Sequence, residues 1–218
     1  MIRAVLFDLD GTLFNRDATV ASILARQISI FRDIIRPERA ATFCNRVTVL
    51  DAHGHQDKRE VYATVATEFG FDTAVTEQLI ASFWAEYPHH CHLDAGVAAT
   101  LAELRRRGLR LGIVTNGAAS VQNAALDGLG VRDAVDAVLI SETEGVRKPD
   151  AAIFHRAAQR LGVRPDECCF VGDHPTVDIA GAKAAGLHAI WKRTPYWVPA
   201  APVQAIDAIP ELLSVALS

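Results

Sequence analysis

The chemistry of this chain starts with two aspartates. Asp8 and Asp10 follow an apolar run, Ala4-Val5-Leu6-Phe7, of the kind that forms a strand buried on both faces. Side chains two apart on a strand point the same way, so the two carboxylates share one small volume at the strand's end. Like charges that close are costly unless a cation or a shared proton separates them. Gly11 then permits a turn that a Cβ would hinder. Such a pair suits metal binding and acid/base chemistry and does little for stability. Three further clusters have the same character: Thr115-Asn116-Gly117, Lys148-Pro149, and Gly172-Asp173 with Asp178 beyond it.

These clusters need a scaffold that brings them together. Strand-like runs at Leu109–Val114, Ala137–Ile140, Cys168–Val171 and His188–Trp191 alternate with helical patterns at Gly96–Arg107, Ala118–Leu129, Asp150–Leu161 and Val177–Ala185. That alternation implies a parallel sheet with right-handed crossovers. Each cluster falls at a strand's C-terminal end or just beyond, which is where open α/β sheets bind ligands. The expected fold is therefore α/β, a doubly wound parallel sheet. Residues 15–90 interrupt the alternation and read as all-helical, with helices at Ala18–Phe31, from Pro37, at Lys58–Phe69, and at Thr76–Tyr87 with Pro88 beyond its end. The expected organisation is a core of residues 1–14 and 91–218 with an inserted helical cap of residues 15–90 acting as a lid. A proline-bearing loop after Trp191 leads to a last helix at Pro210–Leu217.

Taken in order, the four clusters resemble the four motifs of the haloacid dehalogenase superfamily. Asp8-Leu9-Asp10-Gly11-Thr12 fits the first, Thr115-Asn116 the second, Lys148 the third, and Gly172-Asp173 with Asp178 the fourth. The resemblance spans essentially the whole chain. It implies a Rossmann-like core, and the insertion looks like the superfamily's C1 cap. The pattern is similar to phosphoglycolate-phosphatase-like and nucleotidase-like members, which implies a phosphatase acting on a small phosphorylated metabolite. The resemblance assigns Asp8 as nucleophile, forming an aspartyl-phosphate, and Asp10 as the acid/base. Thr115, with the Asn116 and Gly117 backbone N–H groups, would hold phosphoryl oxygens, and Lys148 would neutralise charge. Asp8, Asp10 (through its carbonyl) and Asp173 would hold Mg²⁺, and Asp178 would support that metal shell from behind.

Charge counting agrees with a hard cation. Asp8, Asp10, Asp173 and Asp178 face a single positive charge from Lys148, and a phosphate ester adds more negative charge. All-oxygen ligands favour Mg²⁺ over zinc. Asp10 separates chemistries within the family: its dehalogenases lack this second carboxylate and expel a halide that needs no proton, whereas a phosphatase expels an alkoxide that does. A phosphomutase and a phosphonatase, the latter using Lys58 to form an imine, are the enzymatic alternatives. A phospho-acceptor or ligand-sensing module is the non-enzymatic one.

Other motifs read as structural. His89-His90-Cys91-His92 fits no common zinc spacing and falls where the cap rejoins the core. His53, His55 and Lys58 lie in the polar break Asp51–Lys58, where an exposed loop is favoured over a substrate contact for each. Arg105-Arg106-Arg107 ends a helix as a solvated face. His174 follows a metal ligand, and the Trp191–Trp197 segment is assigned to packing. The 218 residues are half hydrophobic and 22% charged, with a net charge of −4, so no basic field favours nucleic acid or an anionic membrane. Cys44, Cys91, Cys168 and Cys169 show no CxxC spacing, which suits reduced thiols in a cytoplasmic protein. No apolar run is long enough to span a bilayer and no signal peptide is recognised. A monomer and a homodimer are equally compatible with the sequence.

Overall fold

The computed structural model describes residues 1–54 and 56–215, and the chain divides into two compact units. One comprises Met1–Asn15 with the chain from Leu93 onward, and the other is Arg16–His92. His55 and the end of the expected last helix, Leu217, lie outside the described residues.

The first unit is a six-stranded sheet. Its strands are β1 (Ala4–Phe7), β2 (Arg110–Thr115), β3 (Ala137–Ile140), β4 (Cys168–Gly172), β5 (His188–Lys192) and β6 (Ala205–Ile206), in the spatial order β3-β2-β1-β4-β5-β6. Every pairing is parallel. β1 is central, and all four of its residues are buried because neighbouring strands and covering helices leave it no solvent face. The order reverses at β1, which makes a crevice at its C-terminal end. Register aligns that end: Phe7 pairs with Ile113 on one side and Val171 on the other. Asp8, Thr115 and Asp173 therefore emerge from neighbouring strands at one sheet edge. The helix Ala151–Arg160 buries Ile153, Phe154, Ala157 and Ala158, a helical spacing, and Phe154 meets Phe170 of β4 edge-on at 5.1 Å between ring centres.

The second unit is four helices, α1 (Arg16–Ile30), α2 (Pro37–Asp51), α3 (Lys58–Phe69) and α4 (Thr73–His90). Phe43, Tyr62, Phe69, Phe83 and Tyr87 form its aromatic interior. Buried Gln27 is satisfied on both sides: it donates to the Leu79 carbonyl at 2.6 Å and accepts from the Tyr62 hydroxyl at 2.5 Å.

Five local expectations need correcting. α4 starts earlier than Thr76, because the Asp72 carboxylate accepts from the Val75 N–H at 2.8 Å and caps it. It also runs through Pro88 to His90, since a proline in the final turn forfeits only one helical hydrogen bond. The expected helix at Val177–Ala185 is a π-helical turn at Pro175–Ala180 followed by one short helix at Gly181–Ala184. The loop after Trp191 contains β6, a strand too short for periodicity to reveal, and the last helix is a 3₁₀ segment at Ile209–Leu213. No helix among the described residues is long and apolar enough to cross a membrane.

Candidate active site

Asp8 leaves β1 with its N–H bonded to the Val171 carbonyl at 2.9 Å, so the backbone of β4 fixes where its side chain starts. Its Oδ1 lies 2.5 Å from the Lys148 ammonium. Lys148 also lies 2.7 Å from Asp178 Oδ1 and is buried between the two carboxylates. Lys148 reaches this position because Asn116 grips its backbone from both sides. The Asn116 amide donates to the Lys148 carbonyl, and the Lys148 N–H donates to Asn116 Oδ1, each at 2.9 Å. The turn after β2 and the segment bearing the lysine are thus one unit.

Asp173 ends β4. Its carbonyl accepts from the Trp191 indole N–H at 2.6 Å, a buried bond from the adjacent strand β5. The neighbouring Lys192 donates to the Gly11 carbonyl at 3.0 Å. Two consecutive residues at the end of β5 thereby hold both acidic loops by their backbones. Asp178 sits in the π-helical turn, which His174 starts. The His174 ring Nδ1 accepts from the Thr176 and Val177 N–H groups, and the His174 backbone N–H donates to Asp178 Oδ2 at 3.0 Å. Insertion of a π-turn beside a site is a recurrent way of aiming one side chain inward.

Asp8, Asp173 and Asp178 are all buried, and each offers an oxygen within 4.8 Å of the others. Burial, opposed by Lys148 and reinforced by Asp178, pushes the Asp8 carboxyl up to about 7. Burial with repulsion from Asp8 and Asp178 pushes Asp173 up to about 8. Burial works to lower Lys148, but the Asp178 and Asp8 charges outweigh it and hold its ammonium above the ordinary lysine value. One lysine does not neutralise three carboxylates in so small a space. The all-oxygen donor set fits a hard divalent cation such as Mg²⁺. Asp10, partly exposed, is not among these three, though its charge raises both Asp8 and Asp173.

The turn after β2 is braced from beneath. The Thr115 hydroxyl donates to Gln122 Oε1 at 2.9 Å, and the Gly117 N–H donates to the Ser141 hydroxyl at 3.0 Å. The sequence motifs do not include Gln122 or Ser141, and they assign Trp191 and Lys192 to packing, whereas both bond the acidic loops. The visible signal was limited to Trp191 and Lys192, which directly end a strand at the functional edge.

The sequence profile of the haloacid dehalogenase-like hydrolase family matches residues 2–186. The chain belongs to that family. A ribulose-1,5-bisphosphate 5-phosphatase from Halopiger xanaduensis is 33% identical to this hydrolase over 203 residues, covering 87% of this chain and 84% of the relative. A phosphoglycolate phosphatase from Rhodospirillum rubrum is 34% identical over 196 residues, covering 87% and 79%. The solved structure of a 2-haloacid dehalogenase from Pseudomonas syringae pv. Tomato DC3000 is 28% identical, with a TM-score of 0.63 over 98% of this chain and 97% of that one.

The remaining candidates in this hydrolase have other partners. His90 bonds Ser22 at 2.7 Å and Glu86 at 3.2 Å, and the buried Cys91 thiol donates to the Tyr87 carbonyl. Among the described residues the histidine–cysteine run forms no metal-binding group. His53 pairs with Asp17 at 2.8 Å. Lys58 is buried against Asp51, which also takes two hydrogen bonds from Arg16. Arg106 and Arg107 share Glu103 on the surface, while Arg105 pairs with Asp136 at 3.1 Å. His174 lies against the Trp197 ring, 4.5 Å between centres.

Proposed function

We propose that this hydrolase is a Mg²⁺-dependent phosphatase that cleaves the monoester of a small phosphorylated metabolite through an aspartyl-phosphate. The observation that carries the reading is the buried trio Asp8, Asp173 and Asp178 with a single lysine between two of its members. A site so short of positive charge is built for a cation and a phosphoryl group, whereas halide expulsion needs neither.

Asp8 attacks phosphorus as the ester P–O bond breaks, and Asp10 gives its proton to the departing alkoxide. Asp10 then takes a proton from water, which attacks the same phosphorus and releases Asp8 and inorganic phosphate. Thr115 and the Asn116 N–H orient the phosphoryl oxygens, while the Gly117 N–H is committed to Ser141. Lys148 holds Asp8 in its attacking rotamer and offsets charge. Asp8, Asp173 and the Asp10 carbonyl would hold Mg²⁺, supported by Asp178; the ion supplies charge neutralisation for the phosphoryl oxygens. The helical unit leaves the core directly after the first acidic motif and returns at Leu93, a position in the chain that suits a cap excluding water from the intermediate. The relatives' substrates, a sugar bisphosphate and a phosphorylated hydroxy acid by their names, support a small anionic metabolite. Four cysteines outside any disulfide, with the Cys168 and Cys169 thiols pushed up to about 12 by burial, support a reducing, cytoplasmic setting.

The test is phosphate release from a panel of metabolite phosphates with and without Mg²⁺. Release that requires Mg²⁺, is catalytic, and vanishes in Asp8→Asn is expected. Wild-type turnover by Asp8→Asn, or isomerised sugar phosphate as the sole product, contradicts the reading.

A further inference from the structure

The Thr115 hydroxyl carries one proton, and that proton is already committed. It points to Gln122 Oε1 at 2.9 Å, with Thr115 1% and Gln122 5% exposed. A threonine hydroxyl can accept twice but donate once. With its proton on Gln122, Thr115 can present only lone pairs to a phosphoryl oxygen, and two acceptors repel. The carboxamide of Gln122 has a way out: its other end is a donor. Turned over, it gives an N–H to Thr115 Oγ and frees the hydroxyl proton.

The surroundings are shaped around that amide. Gly117 has φ +146, and a Cβ on it would stand 2.8 Å from Gln122 Nε2. The absence of a side chain at Gly117 is what lets the amide lie beneath the turn. Gln122 projects from the helix Ala119–Leu129, whose buried face also includes Ala125 and Leu126, so its stem is fixed while its terminal amide alone rotates.

We propose that Gln122 is a positioning residue that decides where the Thr115 proton goes: it holds the proton when the site is empty and, by turning its amide, releases it to the phosphoryl group. This rests on the phosphatase reading above for its consequence in turnover, though not for its consequence in phosphate binding. Glutamine is specifically required, because it is the one side chain of this size that offers an acceptor and a donor from the same place.

The experiment is a double-mutant cycle of Gln122→Glu and Thr115→Val, read in kcat/KM for an active phosphate ester and in affinity for inorganic phosphate with Mg²⁺ present. Gln122→Glu keeps the shape and only accepts, so it locks the Thr115 proton away. It is expected to lose about ten- to a hundredfold, the scale of one hydrogen bond to a charged oxygen, and as much as Thr115→Val. The double variant is expected to lose no more than either single one. Equal losses from Gln122→Glu in the threonine and valine backgrounds would mean simple charge repulsion and would overturn the proposal, as would an unimpaired Gln122→Glu. If Gln122→Glu does not fold, Gln122→Met serves: it frees the Thr115 proton and is expected to lose less than Thr115→Val, and a loss as large overturns the proposal. As the pH falls, activity of Gln122→Glu relative to wild type should recover, because the protonated acid becomes a donor; a flat ratio counts against the proposal. An absence of wild-type turnover would sink the phosphatase reading alone, leaving the phosphate-affinity cycle to decide the role of Gln122.

Discussion

Gly11 faces the Asp173 carboxylate so closely that a Cβ at Gly11 would stand 2.6 Å from Oδ2 and 3.0 Å from Cγ. The first acidic loop and the fourth are therefore fitted to one another by the lack of a side chain. Gly11 also has φ +75, a backbone state that other residues resist. Gly11→Ala should push the Asp173 carboxylate out of the trio. Mg²⁺ affinity, measured by calorimetry or by the Mg²⁺ dependence of turnover, is expected to weaken about ten- to a hundredfold, as when a metal ligand loses its support. Unchanged affinity would show that Asp173 does not hold the metal.

The raised carboxyls make stability depend on pH. Asp8 titrates at about 7 and Asp173 at about 8 in the fold, against 3.8 for the free groups. Above the free value the unfolded chain has lost protons that the folded chain still holds, so unfolding releases protons and is favoured as the pH rises. Without metal, stability should fall as pH rises from about 4 through 8. A cation competes with those protons, so the rise in Tm on adding Mg²⁺ should grow over the same interval. Thermal melts at several pH values, with EDTA or with Mg²⁺, check both slopes; a Mg²⁺ effect that shrinks with rising pH contradicts them.

Lys148 is the cation that makes the trio tolerable. Lys148→Met leaves Asp8 and Asp178 buried without their partner. Breaking a buried pair of this kind costs roughly 3–5 kcal/mol. The loss should be larger at alkaline than at mildly acidic pH, because protonation relieves the stranded Asp8 carboxylate. Denaturant unfolding of the metal-free variant at two pH values measures it. Turnover should fall as well, since Asp8 loses the ammonium 2.5 Å from its oxygen.

The strand-end residues were legible in the sequence because their chemistry is local. An apolar run followed by Asp8 and Asp10, or by Gly172 and Asp173, declares both the strand and what it carries. The supports were not legible, because each meets its partner through sheet register. Trp191 reaches the Asp173 carbonyl only because β5 lies beside β4, and Ser141 reaches Gly117 only because β3 lies beside β2. Gln122 reads as one polar position on an otherwise apolar helix face until Thr115 is placed above it. β6 is two residues long, and Pro88 within α4 defies the usual stop signal because α4 ends two residues later. The hydrogen-bonded frame around the site is thus a property of topology, whereas its carboxylates are a property of short motifs.

Lys58 tests the phosphonatase alternative from the helical unit. Burial pulls its ammonium down to about 8, against the opposing charge of Asp51. A lysine depressed this far holds a sizeable share of free amine at mildly alkaline pH, which is what imine formation needs. Geometry argues the other way. Lys58 is bonded to Asp51 and lies 4.3 Å from the centre of the Phe83 ring, and its side chain is 4% exposed. An amine held in that way does not meet a carbonyl carbon. Borohydride with a phosphonoaldehyde is therefore expected to leave Lys58 unmodified by mass spectrometry. A reduced adduct on Lys58 would reinstate the phosphonatase. Burial alone would raise Asp51, but the hydrogen bond and charge of Arg16, helped by Lys58, hold it below the ordinary carboxylate value. Lys58→Met leaves Asp51 with both Arg16 hydrogen bonds, at 2.5 and 3.2 Å, and replaces a costly buried ammonium with an apolar chain beside Phe83. Its effect on Tm should be much smaller than that of Lys148→Met, and phosphate-ester turnover should persist. Loss of turnover with the fold intact would assign Lys58 to the substrate.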